Sequence, residues 1–504
     1  MNNAPAPTST ASHDDLLAQR RSKLDALRAA QPTAYPNDFQ PNTTTTQLAE
    51  AYADSTKESL EESPTDVFRL AGRVLAYRSF GKLAFLKLQD QYGTLQASLS
   101  LNGLGEARFK ELEATLDVGD IIGISGRMMR TNKGELTLAA EHAHILVKSL
   151  HPLPDKWHGL EDIEQRYRQR YVDLIVNPDV RQVFVTRSKV VSAIRRFLDG
   201  KGFLEVETPV LQHQAGGTIA RPFDTHHNAL DCPLKLRIAP ELFLKRLLVG
   251  GFEKVYELSR NFRNEGVSTK HNPEFTMLEW YVAYGNRESM MDLMEEMLRT
   301  VATEALGTQH FTFGDTEIDL SKPFRRLTMR DALLTMAGLT EDDLADKAPL
   351  QAAATRVGTK VDADMTYGEI FQTIFEDKVE PQLIQPTFIM DYPIETSPLT
   401  REYPDRPGWT QRAELYIGAR ECGEFYSELN DADDQRRRLE AQRAKAQKGD
   451  AEAMPFDEDF LHALELGMPP AGGIGLGIDR LVMTLTNQPS IRDVLLFPLL
   501  KPKA

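Results

Sequence analysis

Two widely separated stretches hold the residue types that could grip a nucleotide. The first runs Arg260-Asn261-Phe262-Arg263-Asn264-Glu265-Gly266 and resumes at His271-Asn272-Pro273-Glu274-Phe275-Thr276-Met277-Leu278-Glu279. The second runs Gly473-Ile474-Gly475-Leu476-Gly477-Ile478-Asp479-Arg480. Guanidinium groups bind phosphate oxygens, and an aromatic ring can stack on a base. Phe275, Met277, Glu279 and Tyr281 alternate, so on a strand they share one face. That face reads as a ligand wall or, as apolar strand faces more often do, as core with Glu279 paired to an arginine. Arg263 beside Glu265 is equally compatible with a weak surface ion pair. No Ser/His/Asp or Cys/His arrangement stands out. The chemistry in view is therefore the placement of cations around developing negative charge.

These side chains need a scaffold. Glycines 472, 473, 475 and 477 permit tight packing, and Arg480 falls at an expected helix start. The pattern lacks the preceding strand and trailing acidic residue of a dinucleotide-binding loop, so that reading is rejected. Upstream, Arg195 to Gly200 reads as a helix end and residues 202–211 as a strand that Pro209 ends or bulges. His226 and His227, with His213 nearby, could suggest a metal site, but adjacent strand residues point to opposite faces.

Nearer the N-terminus the pattern changes. Residues 1–13 read as a disordered tail. Asp14 to Ala30 reads as a charged helix, either a solvated surface helix or an RNA-backbone contact, stopped by Pro32, Pro36 and Pro41. Short alternating runs at 68–74, 84–90, 95–99, 121–127 and 135–138, with a helix near 107–113, predict a small Greek-key barrel of the OB type. Over residues 66–150 Lys and Arg outnumber Asp and Glu by 11 to 9, against a net charge of −15 for the chain. That local balance favours a nucleic-acid surface slightly, while the acidic whole argues against nonspecific coating of nucleic acid. Pro152-Leu153-Pro154 predicts a rigid linker, and 435–450 an exposed helix. Cys232 and Cys422 cannot build a disulfide framework, which fits a reducing compartment. No apolar run approaches the roughly 18 residues of a membrane span. The expectation is a cytoplasmic protein.

The ordered stretches resemble motifs 1, 2 and 3 of class II aminoacyl-tRNA synthetases, here at 195–211, 257–281 and 472–484. Leu236-Arg237-Ile238-Ala239-Pro240-Glu241-Leu242-Phe243-Leu244-Lys245-Arg246, Ala220 to Asp231, Arg166 to Leu174 and Tyr426-Ser427-Glu428-Leu429-Asn430-Asp431 narrow the likeness to bacterial class II lysyl-tRNA synthetases, over essentially residues 14–500. The resemblance implies an α+β chain: a helical segment at 14–64, an OB anticodon-binding barrel at 65–150, a hinge at 151–180, and an antiparallel-sheet catalytic domain at 181–504. It implies activation of L-lysine by ATP and transfer to the 3′ end of tRNA(Lys), by a homodimer with Pro209 at the subunit contact. Arg263 would hold the α-phosphate and the amino-acid carboxylate, and Arg480 the far phosphates. Glu265, His271, Asn272, Phe275 and Glu421 match ATP contacts, with Phe275 on adenine. Glu279, Tyr281 and Glu428 match positions that hold the ε-amine, Glu241 and Gly217 those near the α-amine, and Tyr426 an aromatic over the aliphatic stem. Glu414 and Glu421 could supply hard oxygens to Mg²⁺. Phe85, Gln96 and Glu135 match positions that read the anticodon.

The chain departs from the family at Glu424-Phe425, where Asn followed by a small residue is usual. A glutamate there would repel the substrate carboxylate unless it is protonated, turned away or paired with Arg263. This leaves open a paralogue with altered amino-acid use. A noncatalytic RNA-binding paralogue is the alternative of another class, opposed by the intact Arg263, Glu265, Glu421 and Arg480.

Overall fold

The computed structural model describes residues 12–30, 33–154, 160–447 and 453–502. The chain divides into two compact units, Met1–Gly159 and Leu160–Ala504. Residues 1–11 of the expected tail lie outside the described residues, and His13 already opens the first helix, His13–Ala30.

In the first unit the strands Phe68–Ser79, Leu83–Gln89, Thr94–Ser100, Leu136–Val147 and Ile121–Arg130 close a barrel in that order. The helix Glu106–Thr115 follows the third strand in sequence. Alternation fills the barrel: Ala84, Leu86 and Leu88 point inward with Ala97, Leu99, Ile122, Ile124 and Leu138. The N-terminal helix is not merely solvated, which corrects the surface-helix reading. Leu24 and Leu27 are buried, and Arg20 donates to the carbonyls of Ser149 (2.9 Å), His151 (3.3 Å) and Val118 (3.0 Å).

In the second unit a mixed but mostly antiparallel sheet runs Arg325–Thr328, Thr387–Pro393, Arg406–Tyr416, Glu421–Ser427, Ala471–Gly477, Glu274–Ala283, Lys254–Phe262, Leu204–Glu205. Only the outermost pairs are parallel. One face packs on the helices Pro178–Gly200, Arg287–Leu306 and Ile478–Leu485 through Leu278, Trp280, Phe425, Ile474 and Leu476, with Met290, Met291, Met294 and Met297 opposite them. The other face is covered at its two ends, by the helices Glu241–Val249 and Glu458–Glu465 against Val255 and Tyr281 and by Met329–Met336 and Tyr367–Lys378 against Ile389, Tyr392 and Tyr416, which leaves its middle open.

Several expectations need correction here. The hinge expected at 151–180 is not a hinge after residue 160: Ile163–Arg168 and Arg170–Val176 are helices of the second unit. They are fastened by Arg170, whose guanidinium donates to the carbonyls of Arg492, Leu495 and Leu496. Residues 202–211 do not form one strand; only Leu204–Glu205 and Leu211–Gln212 pair. Between them Pro209 has no N–H, and Thr208 gives its N–H (3.2 Å) and hydroxyl (2.7 Å) to Glu257 Oε2 instead of to a ladder. The helix Ala432–Gln447 buries Gln435, Leu439 and Gln442 along one face and so is not simply exposed. No helix among the described residues is long and apolar enough to cross a membrane.

Candidate active site

The cleft lies on the uncovered middle of that second sheet face. In register, Glu279 stands opposite Gly475 and Tyr281 opposite Gly473 on one side of the glycine strand, Glu424 opposite Gly475 and Tyr426 opposite Gly473 on the other. The glycines therefore form a lane between two rows of side chains. A methyl group at Gly473 would overlap Glu428 Oε1 and the Tyr281 ring, so only glycine fits there. Phe275, Met277, Glu279 and Tyr281 all line the cleft, while Leu278 and Trp280 between them are fully buried on the other face. Of the two readings of that alternation, the ligand wall is the one found.

The second and third motifs and the helix that leads into the first are joined at one carboxylate. Asp479 Oδ2 accepts the Thr276 N–H at 2.7 Å, and Asp479 Oδ1 lies 2.6 Å from Arg187 Nη1 on the long helix Pro178–Gly200. The buried aspartate thus fixes the Phe275 strand to the helix start that carries Arg480.

One end of the cleft is cationic. The Arg263 guanidinium stands 5.0 Å from the centroid of the Phe275 ring. Arg480 Nη1 is 2.9 Å from Glu421 Oε2, and Arg480 Nη2 is 3.4 Å from His271 Nε2. Burial and the charge of Arg480 hold the His271 imidazole below its usual value, which favours its uncharged form. Asn272 donates to the Glu274 carbonyl at 2.6 Å and keeps a buried Oδ1 with no hydrogen-bond partner. Glu265 lies exposed at the rim.

The other end is acidic and buried. Glu241, Glu279 and Glu428 are 7%, 3% and 1% exposed. Glu279 Oε2 accepts the Tyr281 hydroxyl at 3.0 Å. Burial pushes the Glu279 carboxyl well above its usual range, Glu241 up to about 7, and Glu428 upward as well. Such carboxylates favour a cation, because an ammonium group would restore their charged form. Gly217, at φ +95°, packs beside Glu241 where any Cβ would crowd it. Glu428 does not line the cleft itself and lies beneath the glycine lane, with Oε1 lacking a hydrogen-bond partner.

Two families of proteins match this architecture. The model for class II tRNA synthetases (D, K and N) matches residues 162–501, and that for the OB-fold nucleic acid binding domain matches 68–146. The lysine–tRNA ligase of Moorella thermoacetica is 52% identical over 490 residues, covering 97% of this chain and 98% of that one. That of Pelotomaculum thermopropionicum is 52% identical over 492 residues (97% and 96%), and that of Xanthomonas oryzae pv. oryzae 50% over 506 (99% of each). The chain belongs to the class II lysine–tRNA ligases.

Most residues expected from that family face the cleft: Gly217, Glu241, Arg263, Glu265, His271, Asn272, Phe275, Glu279, Tyr281, Glu421, Tyr426 and Arg480. Glu414 does not. It is buried, 2.5 Å from Arg412 Nη2 and 2.5 Å from the Tyr416 hydroxyl. Among the described residues no group of three or more His, Cys, Asp or Glu could hold a metal. Magnesium needs less, since it usually takes one or two carboxylates plus water and phosphate oxygens. Glu421, which faces the cleft, fits that need; Glu414, with one oxygen on Arg412 and the other on Tyr416, does not offer a free one. Burial pushes Glu414 up to about 7 against the lowering charge of Arg412, with Glu421 and Glu424 adding to the rise.

Glu424 is turned toward Arg412, 3.1 Å from its Nη2, and accepts the Tyr426 hydroxyl; it is not hydrogen-bonded to Arg263. Phe425 does not displace the strand. It stays in register with Ile474 and meets Phe388 edge-on at 5.2 Å in the core. His226 and His227 share no ligand: one meets Asp231 at 3.1 Å, the other accepts the Leu230 N–H. On the barrel, Phe85 and Gln96 alternate with inward residues and so lie on the outer surface, Phe85 beside a hollow lined by Leu83, Met129 and Arg130. Gln96 donates to Thr137 Oγ1 at 2.8 Å, and Glu135 is exposed.

Sequence reading missed Arg412, Arg187 and Lys245. Arg412-Glu414-Tyr416 is an alternating polar row that could have disclosed the first. Lys245 follows Glu241 by four positions on the helix Glu241–Val249, the spacing of a helical ion pair. Arg187 carried no local signal, because its partner Asp479 is far along the chain.

Proposed function

We propose that this chain activates L-lysine with ATP and passes the lysyl group to the 3′ end of tRNA(Lys), using the cleft residues in the roles the family suggests. The observation that carries the reading is the polarity of the cleft: Arg263, Arg480 and Phe275 at one end, buried Glu241 and Glu279 at the other with Glu428 beneath them under the glycine lane. A lysine carboxylate oxygen attacks the α-phosphorus, the bond to pyrophosphate breaks, and lysyl-adenylate forms. The terminal tRNA hydroxyl then attacks the acyl carbon, loses its proton, and AMP leaves. Arg263 stabilises charge at the α-phosphate and carboxylate, Arg480 orients the distal phosphates, and Phe275 stacks on adenine. Glu265, His271 and Asn272 help seat ATP. Glu279, Tyr281 and Glu428 receive the ε-ammonium, Glu241 and Gly217 the α-ammonium, and Tyr426 covers the stem. Glu421 would hold Mg²⁺, with Glu414 joining it only on leaving Arg412 and Tyr416, and the ion when bound would neutralise phosphate charge.

Phe85, Gln96 and Glu135 read the anticodon on the barrel surface, where stacking on an aromatic suits unpaired bases. A homodimer is supported by the apolar exposure at motif 1, with Leu204 at 46%, Val210 at 38% and Leu211 at 50%. The free Cys232 and Cys422 support a cytoplasmic setting.

The test is amino-acid-dependent ATP–pyrophosphate exchange over all twenty amino acids and ornithine. Exchange with lysine alone is expected. The second reading, altered amino-acid use, rests on Glu424, whose charge Arg412 answers. Exchange with another amino acid would restore it. A lysine KM unchanged in Glu424→Asn is expected, and a large drop in that KM would show that Glu424 does oppose lysine.

A further inference from the structure

One buried cation at the acidic end has no role in the chemistry above. Lys245 is 0% exposed, and no part of it lines the cleft. Its Nζ lies 2.6 Å from Glu241 Oε1 and 2.6 Å from Glu428 Oε2. The two carboxylates come from different elements, Glu241 from one turn back on the same helix and Glu428 from just past the strand Glu421–Ser427. Lys245 touches one oxygen of each and leaves the other, and Glu428 Oε1 has no hydrogen-bond partner.

Count the charges at this end. With all three ionised, Glu241, Glu279 and Glu428 carry three negative charges against one positive charge on Lys245. The remainder matches the two ammonium groups of lysine. Without Lys245 the carboxylates would face one another in a medium that penalises charge, and a proton would be taken up to neutralise one of them. A protonated carboxyl is neutral and donates through its O–H, so it loses the charge that draws an ammonium to it.

We propose that Lys245 is a positioning residue, a resident counter-ion that keeps Glu241 and Glu428 ionised and oriented so that each presents its second oxygen to a substrate ammonium. The inference rests on the reading that these carboxylates bind lysine. The groups that face this site are Glu241, Glu279, Tyr281, Glu424, Glu428 and Arg263. Even with Lys245 in place, burial lifts Glu241 to about 7 and raises Glu428. Removing the cation moves both further up.

The experiment follows lysine KM in pyrophosphate exchange from pH 6 to 9.5 for the full chain and for Lys245→Met, Lys245→Gln and Lys245→Arg, with a melting curve for each. Gln keeps a donor between the carboxylates without the charge, and covers the case in which Met does not fold. For either neutral variant the expected result is a lysine KM raised about tenfold or more at pH 7. The pH at which affinity falls off should move up by about one unit or more, with kcat and ATP KM changed less than about threefold. Arg should leave that break where it is. A break unmoved in the neutral variants overturns the proposal, whether KM is unchanged or raised equally at every pH. Glu279→Gln, run alongside, separates the two failures. If it leaves lysine KM unchanged, the pocket assignment is wrong; if it raises KM while the Lys245 variants keep the parent break, only the role of Lys245 falls.

Discussion

The cationic end of the cleft keeps its side chains near water and lightly paired. Arg480 rests on Glu421, His271 stands beside it, and Arg263 leans over Phe275. The acidic end does the opposite. Its three carboxylates are all less than a tenth exposed, and the two not bonded to Tyr281 are held by a fully buried lysine. The contrast follows from what each end handles. Phosphate charge shifts during reaction, so its partners must be able to exchange one ion for another. The amine of the substrate does not react, so its partners can be fixed in advance and screened from water. Desolvated charges discriminate strongly, because an unmatched ligand leaves them unpaired.

The largest effect should come from the cationic end. Arg263→Ala is expected to lower kcat for exchange by about 100- to 1,000-fold with a much smaller change in lysine KM, the scale for losing one preorganised donor to developing charge. Rapid exchange in that variant would break the division of labour. Next comes Glu279→Gln, for which lysine KM should rise about 100-fold while ATP KM holds, as expected from removing one partner of a buried ion pair. A matching rise in ATP KM would mean the two ends are not separate. Phe85→Ala should raise the KM for tRNA about tenfold in aminoacylation and leave pyrophosphate exchange untouched, the scale of one lost base stack. The smallest effect is a pH trend in the parent protein. Glu241 has its value raised to about 7, so its charged form is favoured above that pH and lost below it. Lysine KM should therefore rise as pH falls through 7, by a few fold. A flat profile from pH 6 to 8 would indicate that Glu241 stays ionised throughout.

Local patterns disclosed much of this arrangement. The barrel strands announced themselves by alternation, and Phe275, Met277, Glu279 and Tyr281 by their shared face. The same alternation could not say which face was cleft, because Phe and Met suit a core equally well. That was decided by helices packing on Leu278 and Trp280 from elsewhere in the chain. Pro209 was legible as a disturbance of a strand, but not how short the paired segments on either side would be. Glu424 looked like a repulsive charge because Arg412 lies on a neighbouring strand, out of reach of any local window. Arg170 hid the docking of residues 160–176 for the same reason, its carbonyl partners lying near the C-terminal end.

Asp479 was described as the link between a strand N–H and Arg187 on the long helix. Its consequence is thermal. The strand bearing Phe275 is laddered on both edges and pinned to two helices, so it has no low-energy way to fray by itself. Heating should then not yield a half-working catalyst with a loosened platform. Activity in the second unit should vanish along the same curve as its tertiary structure, so inactivation becomes a direct thermometer of cooperative melting.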